Sequence, residues 1–130
     1  MDMSLRASQV NVFRITLVFV LIAILILAVL PSQSLGIDKL NDKLNHIVAF
    51  YTCALLVDFS FPETEFSLKK IIALLGYGIL IEIIQLFLVY RSFSLFDLAA
   101  DTTGLLCYGL SLPLIKQLPI FKRRWVVDHG

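Results

Sequence analysis

Charged side chains are scarce in this sequence, and long apolar runs occupy most of its length. Only 16% of the 130 residues are charged and 58% are hydrophobic, whereas soluble domains average about 25% charged and roughly 45–50% apolar residues. The mean hydropathy is +0.88. This composition argues against an ordinary water-soluble domain and indicates one membrane domain over residues 1–130.

A strong charge of either sign is also lacking, since the formal net charge is +1. Nucleic-acid binding, which requires a basic surface, therefore has no support. Cysteine is rare, and because Cys53 and Cys107 each lie inside an apolar run, we expect small buried side chains rather than a disulfide or a metal pair. The sequence has no internal repeat and no glycine-rich nucleotide-binding loop. We predict no cofactor and assign no metal centre.

Four apolar runs of 18 to 21 residues divide the chain, with Pro31 and Pro62 after the first two. At about 1.5 Å per residue, each run can cross a hydrocarbon core roughly 30 Å thick. We therefore predict an all-α integral membrane bundle of four transmembrane helices. The predicted spans are residues 12–30, 44–61, 71–90 and 94–114, with Gly76 and Gly78 as points of close packing.

The first run also has features of a signal peptide. Arg6 and Arg14 precede its apolar core, and Ser32-Gln33-Ser34 is a small-x-small triplet. Because the core is long for a signal and Pro31 follows it directly, we expect an uncleaved span. Arg14 then extends its stem to the interface.

Lysine and arginine are distributed unequally between the two sides of such a bundle. One side has three, namely Lys39, Lys43 and Arg91, and the other has the remaining eight. The positive-inside bias therefore predicts an N-in/C-in arrangement with both termini in the cytoplasm. The basic run at residues 122–124 is expected to contact anionic lipid, and Trp125 to anchor the interface.

Polar and charged residues interrupt the apolar runs at two places, near residues 42–46 and between residues 82 and 101. A charge near the centre of a membrane helix costs roughly 2.5–3.5 kcal/mol on insertion scales, so such residues are functional candidates. In the predicted orientation both groups lie in the outer half of the membrane, and we expect one outward-facing polar pocket. Its members are Asp42, Lys43, His46, Glu82, Gln85, Arg91, Ser94, Asp97 and Asp101.

Proton handling is one role for the four candidate catalytic residues, His46, Glu82, Asp97 and Asp101. Two neighbouring carboxylates do not easily both ionise in a low-dielectric site, so one of Asp97 and Asp101 can act as a proton donor; pairing with Arg91 or Lys43 would keep both charged. His46 follows Asp42 by one helical turn. It is either an oriented acid–base imidazole, a ligand that completes a divalent-metal site with the carboxylates, or a partnered interfacial histidine.

Anion binding is the role considered for the remaining pocket residues. Arg91 lies beside Ser94 at a helix start, where a phosphate or carboxylate is favourably bound, although Arg91 can instead pair with Asp97. Ser94-x-x-Asp97 also fits a capping box. Glu82 and Gln85 are either an interhelical hydrogen-bonding pair or, for Glu82, a general base or metal ligand.

The ordered set Asp42-Lys43-x-x-His46, Glu82-x-x-Gln85, Arg91, Ser94-x-x-Asp97 and Gly104 resembles the VanZ-like family of bacterial membrane proteins over roughly residues 38–110. Two positions depart from the family pattern. Asp101 stands where the family usually has asparagine, and Tyr108 stands where a second glycine is expected, with Gly109 one place later.

The resemblance implies a multi-pass protein of the bacterial cytoplasmic (inner) membrane, in a family named after a protein of teicoplanin resistance. From it and the pocket together we expect binding or processing of an anionic cell-envelope component, with membrane lipids and a lipid-linked envelope precursor as partners. This function is linked to glycopeptide resistance or envelope homeostasis. The alternative is a non-enzymatic accessory or assembly protein whose charges form a structural ion-pair network. Catalysis and oligomeric state stay open.

Overall fold

The computed structural model describes residues 6–30, 39–90, 94–119 and 121–125. These residues form four long α-helices and one short 3-10 helix, and the described ranges contain no strand, so the all-α prediction is confirmed. The helices are α1 (Ala7–Val29), α2 (Lys39–Ser60), α3 (Leu68–Leu86) and α4 (Leu95–Ile115), followed by the 3-10 helix Lys122–Trp125.

Helix bounds differ from the predicted spans mainly at the ends. α1, α2 and α3 begin earlier than residues 12, 44 and 71, because polar residues at a span's edge are as able to be helical as the apolar ones. α3 ends at Leu86 although the apolar run continues to Tyr90. The N–H groups of Phe87 and Leu88 donate to the carbonyls of Ile84 and Gln85, both at 3.1 Å, which tightens the last turn and ends the helix.

α2 lies at the centre of the bundle, with its most extensive contact to α4 and the next to α1. α2 and α4 run in the same direction, and Gly104 lets their backbones touch, since a Cβ at this position would clash with the carbonyl oxygen of Ile47. Gly78 of α3 is also a close-packing point, because a Cβ there would lie 2.9 Å from Asp101 Oδ2. Gly76, predicted to have the same role, has no described atom within 4 Å of the point that a Cβ would occupy.

The buried core is apolar and aromatic where α2, α3 and α4 meet. Phe50, Leu105 and Tyr108 are at most 1% exposed, and the Tyr108 ring packs edge-on against Phe66 at 4.8 Å. Cys53 is buried as expected, whereas the prediction was wrong for Cys107, whose side chain lies on the outer face of α4. A period of 3.6 residues puts positions 104 and 108 on the packed face and position 107 away from it.

Large apolar side chains cover the outside of the bundle. In α1 only Val10 and Leu17 are buried, and exposed apolar residues occur on all four helices. By length and composition, α1 and α4 are able to cross a membrane. α2 and α3 carry more charged residues, including Asp58 and Glu82, and both of these side chains are fully buried inside the bundle.

Candidate functional site

The first turns of α2 and α4 and the last turns of α3 meet at one end of the bundle. This polar cluster consists of Asp42, Lys43, His46, Glu82, Ser94, Asp97 and Asp101. All seven are residues that the sequence singled out, although their positions are up to 59 apart in the chain. The parallel packing of α2 against α4 brings residues 42–46 level with residues 97–101.

His46 joins the two helices through Asp101. Its Nδ1 donates to Asp101 Oδ1 at 2.7 Å, and the Asp101 side chain is 2% exposed. The other ring nitrogen, Nε2, lies 3.9 Å from Asp97 Oδ2, which is too long for a hydrogen bond. The expected partner one turn away, Asp42, is therefore not the hydrogen-bond acceptor of Nδ1; a carboxylate on the neighbouring helix takes this role.

Lys43 forms ion pairs with two carboxylates of the polar cluster, Asp97 and Asp42. Its ammonium group donates to Asp97 Oδ1 and lies 3.5 Å from Asp42 Oδ2. Lys43 precedes the second predicted span; partial burial lowers its pKa, but the hydrogen bond and the charge of Asp97 outweigh this effect and the net pKa is raised. The ammonium group is thus held charged between two carboxylates.

Ser94 and Glu82 together cap the start of α4. The Ser94 Oγ accepts from the backbone N–H of Asp97 at 3.3 Å, as the sequence predicted. The reciprocal half of the capping box comes from another helix, because the Ser94 N–H donates to Glu82 Oε2 at 3.0 Å. Glu82 is fully buried, and its other oxygen, Oε1, has no hydrogen-bond partner within the described part of the chain.

Gln85 contacts α1, whereas Glu82 contacts the start of α4. Its Nε2 donates to the Ala28 carbonyl of α1 at 2.9 Å, so Glu82 and Gln85 each tie α3 to a different helix and do not pair with each other. Gln85 is 2% exposed, and its Oε1 lacks a hydrogen-bond partner among the described residues. A polar atom buried in this way needs a donor beyond the described residues.

A cavity of about 360 Å³ lies beside the polar cluster, between α1, α2 and α3. Its walls are largely apolar, and its polar side is formed by Asp42 and His46 of the polar cluster together with Asn45 and Gln85. The lining residues are Ile24, Leu27, Ala28, Asp42, Asn45, His46, Val48, Ala49, Phe50, Ile81 and Gln85.

Arg91 is the predicted site residue whose placement stays untested, since it lies outside the described residues.

The structure brings together three side chains that could bind a metal ion, as considered for His46. One ligand atom each from Asp42, His46 and Asp97 lie within 4.8 Å of one another. The carboxylates and the imidazole can therefore act as proton carriers or as ligands of a cation.

A second group of buried charges, missed as a site by the sequence, lies at the opposite end of the bundle. This Asp58 cluster consists of Asp58, Lys70, Tyr108 and Arg124. Asp58 Oδ1 lies 3.0 Å from Lys70 Nζ and 2.9 Å from Arg124 Nη2, and its Oδ2 accepts from the Tyr108 hydroxyl at 2.6 Å. The one feature of the sequence that could have indicated this cluster is Asp58, an acidic residue inside the apolar run 44–61.

The Asp58 cluster corrects one prediction about the basic tail, the lipid contact of Arg124. Arg124 is 6% exposed and donates to the carbonyls of Asp58, Pro62 and Thr64 at 2.6–2.8 Å, so it is not available to lipid head groups. Trp125 packs edge-on against Phe59 at 5.7 Å. Arg124 and Trp125 therefore pack against this end of the bundle, and the anchoring of the interface by Trp125 stays a prediction.

Comparison of the chain with protein-family models, with curated proteins and with solved structures gives no match in any of the three.

Proposed function

We propose that this chain is a VanZ-like protein that crosses the bacterial cytoplasmic membrane four times and binds an amphiphilic envelope component. The single observation that carries the proposal is the position of the cavity. Apolar walls of α1, α2 and α3 meet the polar cluster at Asp42 and His46. A ligand with an apolar chain and a charged head group satisfies both surfaces, whereas a purely polar or purely apolar ligand satisfies one.

The distribution of polarity supports four spans. Exposed large apolar residues on every helix face outward, and the acidic residues Asp58 of α2 and Glu82 of α3 lie inside the bundle, where Asp58 pairs with Lys70 and Arg124. Asp58 and Glu82 are each 0% exposed. Buried charges with apolar exteriors suit a bundle surrounded by lipid, where polar groups must be satisfied internally.

The two ends of the bundle support the N-in/C-in orientation. Arg14, Lys70 and Arg124 lie at the end with Asp58, where Arg14 Nε donates to the Ser60 carbonyl at 2.9 Å. The positive-inside bias assigns this end to the cytoplasm. The polar cluster is then outward-facing. The hydrogen bonds that Tyr77 and Gln85 of α3 donate to carbonyls of α1 support an uncleaved first span.

The ligand we favour is a lipid-linked precursor with a phosphate head group. Its isoprenoid or acyl chain would lie against the apolar wall, which includes Ile24, Phe50 and Ile81. His46, which is oriented by Asp101 and lines the cavity, is the group placed to accept or donate a proton at the head group, and the buried Glu82 and Asp97 lie behind it in the polar cluster. Lys43 and Arg91 are the proposed anion-binding residues.

The second candidate function is a non-enzymatic accessory protein. It is favoured by the pairing of Lys43 with Asp97 and of His46 with Asp101, because these contacts fix α2 against α4. The amide variants Glu82→Gln and Asp97→Asn separate the two functions. Variants that insert normally and lose activity favour the pocket, whereas variants that misassemble favour the network.

Ligand binding is tested with the purified full chain in detergent, using a polyprenyl phosphate and, for comparison, phosphatidylglycerol and phosphatidylcholine. Native mass spectrometry should show retention of the polyprenyl phosphate. Ala28→Phe fills the cavity and should weaken retention at least about tenfold, or about 1.4 kcal/mol. Ala23→Phe, on the exposed face of the same helix, is the control. Equal retention by both variants, or of all three lipids, contradicts the proposal.

A further inference from the structure

Carboxyl groups outnumber basic side chains in the polar cluster. Four carboxylates, those of Asp42, Glu82, Asp97 and Asp101, lie beside two basic side chains among the described residues, Lys43 and His46. Arg91, outside these residues, adds at most one further positive charge. A phosphate head group placed here would meet carboxylates at short range, since Lys43 is already paired. Such a site requires more positive charge than the chain supplies.

We propose that the polar cluster is a binding site for a divalent first-row transition metal ion, with Asp42, His46 and Asp97 as its protein ligands. One ligand atom from each residue lies within 4.8 Å of the other two. Metal–ligand distances are about 2.0–2.2 Å, so the ligand atoms of one tetrahedral ion lie roughly 3.3–3.6 Å apart. Side-chain adjustments of roughly 1 Å would therefore complete the site.

His46 has the orientation that a metal ligand needs. Its Nδ1 is hydrogen-bonded to Asp101 at 2.7 Å, so a neutral imidazole that donates through Nδ1–H presents the lone pair of Nε2, and Asp97 Oδ2 is 3.9 Å from this atom. A carboxylate that receives the other N–H of a ligating histidine is a common second partner in metal sites. Asp101 is thus a positioning residue, and Gly78 provides the space for its carboxylate.

Glu82, beside the proposed ligand Asp97, gives a further indication of a ligand. It is 0% exposed, its Oε2 is held by the Ser94 N–H, and its Oε1 has no hydrogen-bond partner among the described residues. The Glu82 side chain lies within hydrogen-bonding reach of the Asp97 carboxyl group, and His46 is a further charged neighbour. A buried carboxylate oxygen without a donor is costly. A water bound to the ion would donate to this oxygen.

The donor set selects the class of ion. One imidazole nitrogen with carboxylate oxygens suits Zn²⁺, Mn²⁺ or Fe²⁺, whereas Mg²⁺ and Ca²⁺ prefer oxygen ligands alone. Lys43 competes with the ion, because its ammonium group occupies the space between Asp42 and Asp97. Metal binding would move this flexible side chain, which is 34% exposed, toward solvent.

The ion would supply the positive charge that a phosphate head group needs. This role of the ion rests on the proposed function, whereas the metal site itself does not. The test uses metal alone, so the two proposals can fail separately. Purified full-length protein in detergent, freed of metal by a chelator, is titrated with Mn²⁺ by the loss of the free-ion electron paramagnetic resonance signal. Zn²⁺ is then titrated against a chromophoric chelator. One equivalent of each ion should bind.

Four variants test the assignment. Loss of a residue that hydrogen-bonds to a metal ligand typically weakens metal binding ~10–100-fold, and Asp101→Asn should have an effect in this range. His46→Asn and Asp42→Asn, which remove a ligand itself, should weaken binding by more than this. Lys43→Gln should strengthen binding, by about tenfold or about 1.4 kcal/mol, because the competing ammonium group is removed. Glu65→Gln, in the exposed connection between α2 and α3, is the control and should bind as the unmodified protein does.

The gain at Lys43 is the decisive result, since adventitious binding to surface carboxylates does not predict it and misfolding does not produce it. The proposal is overturned if the folded protein binds neither ion. It is also overturned if Asp42→Asn, whose side chain is 26% exposed, binds as tightly as Glu65→Gln. A Lys43→Gln protein that binds more weakly than the unmodified chain overturns it as well.

Discussion

His46 and Asp101, 55 positions apart in the sequence, are joined by a 2.7 Å hydrogen bond that links α2 to α4. Both side chains are largely buried, with 17% and 2% of their surfaces exposed. Hydrogen bonds to charged groups contribute about 1.5–3 kcal/mol, more than neutral ones. This bond therefore orients the imidazole and also fixes the helix pair.

Two replacements of Asp101 distinguish the effect of its negative charge from the effect of its hydrogen bond to His46. Asp101→Asn keeps an acceptor for the Nδ1–H and should lower the free energy of unfolding by about 1 kcal/mol, whereas Asp101→Ala leaves the imidazole unpaired and should lower it by about 1–3 kcal/mol. Reversible unfolding in mixed micelles measures both. A double-mutant cycle with His46→Ala should give a coupling energy of about 0.5–3 kcal/mol. Additive losses would show that the bond contributes nothing.

Close packing at Gly104 is the second test, because a methyl group there would clash with the carbonyl oxygen of Ile47. Gly104→Ala should destabilise the protein by about 1–3 kcal/mol, as overpacking does. Gly76→Ala is a matched control on α3 with no described atom within 4 Å; there alanine should be neutral or stabilising by up to about 1 kcal/mol through helix propensity. Equal effects in thermal unfolding would contradict the assigned packing of α2 on α4.

The burial of Asp58 gives the largest expected loss of stability. Asp58→Ala leaves Lys70 and Arg124, which are 7% and 6% exposed, without their carboxylate. Breaking a buried ion pair in this way costs about 3–5 kcal/mol. The expected result is a strongly reduced yield of folded protein in membranes, measured by detergent extraction and size-exclusion chromatography. Glu63→Gln, a nearby carboxylate in the connection after α2, should extract normally.

Tyr108→Phe is a milder probe of the same cluster, suited to the case in which Asp58→Ala does not accumulate. It removes one hydrogen bond to Asp58 Oδ2 and keeps the two cations, so a loss of about 0.5–3 kcal/mol is expected. A Tyr108→Phe protein with unchanged stability would mean that the hydroxyl does not support the Asp58 carboxylate.

The sequence predicted the helical class and the level at which residues 42–46 and 82–101 meet, because run length and charge bias are sufficient for both. It did not predict partners. Spacing within one helix pointed His46 toward Asp42, whereas the hydrogen bond goes to α4. Arg124 lies 66 positions from Asp58, and nothing in a basic tail distinguishes a lipid contact from a buried counter-ion. Such pairings depend on helix rotation and tail packing, which local patterns do not encode.

The two cysteines test the membrane arrangement without any substitution in the packed core. Cys107 is exposed on the outer face near the middle of α4, and Cys53 is fully buried. If α4 crosses the bilayer, Cys107 faces hydrocarbon, where the reactive thiolate does not form readily. Maleimide added to intact membranes should therefore leave both thiols unmodified.

Denaturation and an added cysteine provide the controls for this labelling. In dodecyl sulfate both native thiols should react, and Glu65→Cys, in the exposed connection after α2, should react in intact membranes once both leaflets are accessible. Mass spectrometry of the labelled protein identifies the modified residue. Rapid labelling of Cys107 in sealed or opened membranes, at the rate of position 65, would mean that this face of α4 meets water. The exposed apolar side chains of α4 would then have to be buried by something other than lipid, and the four-span arrangement would be wrong.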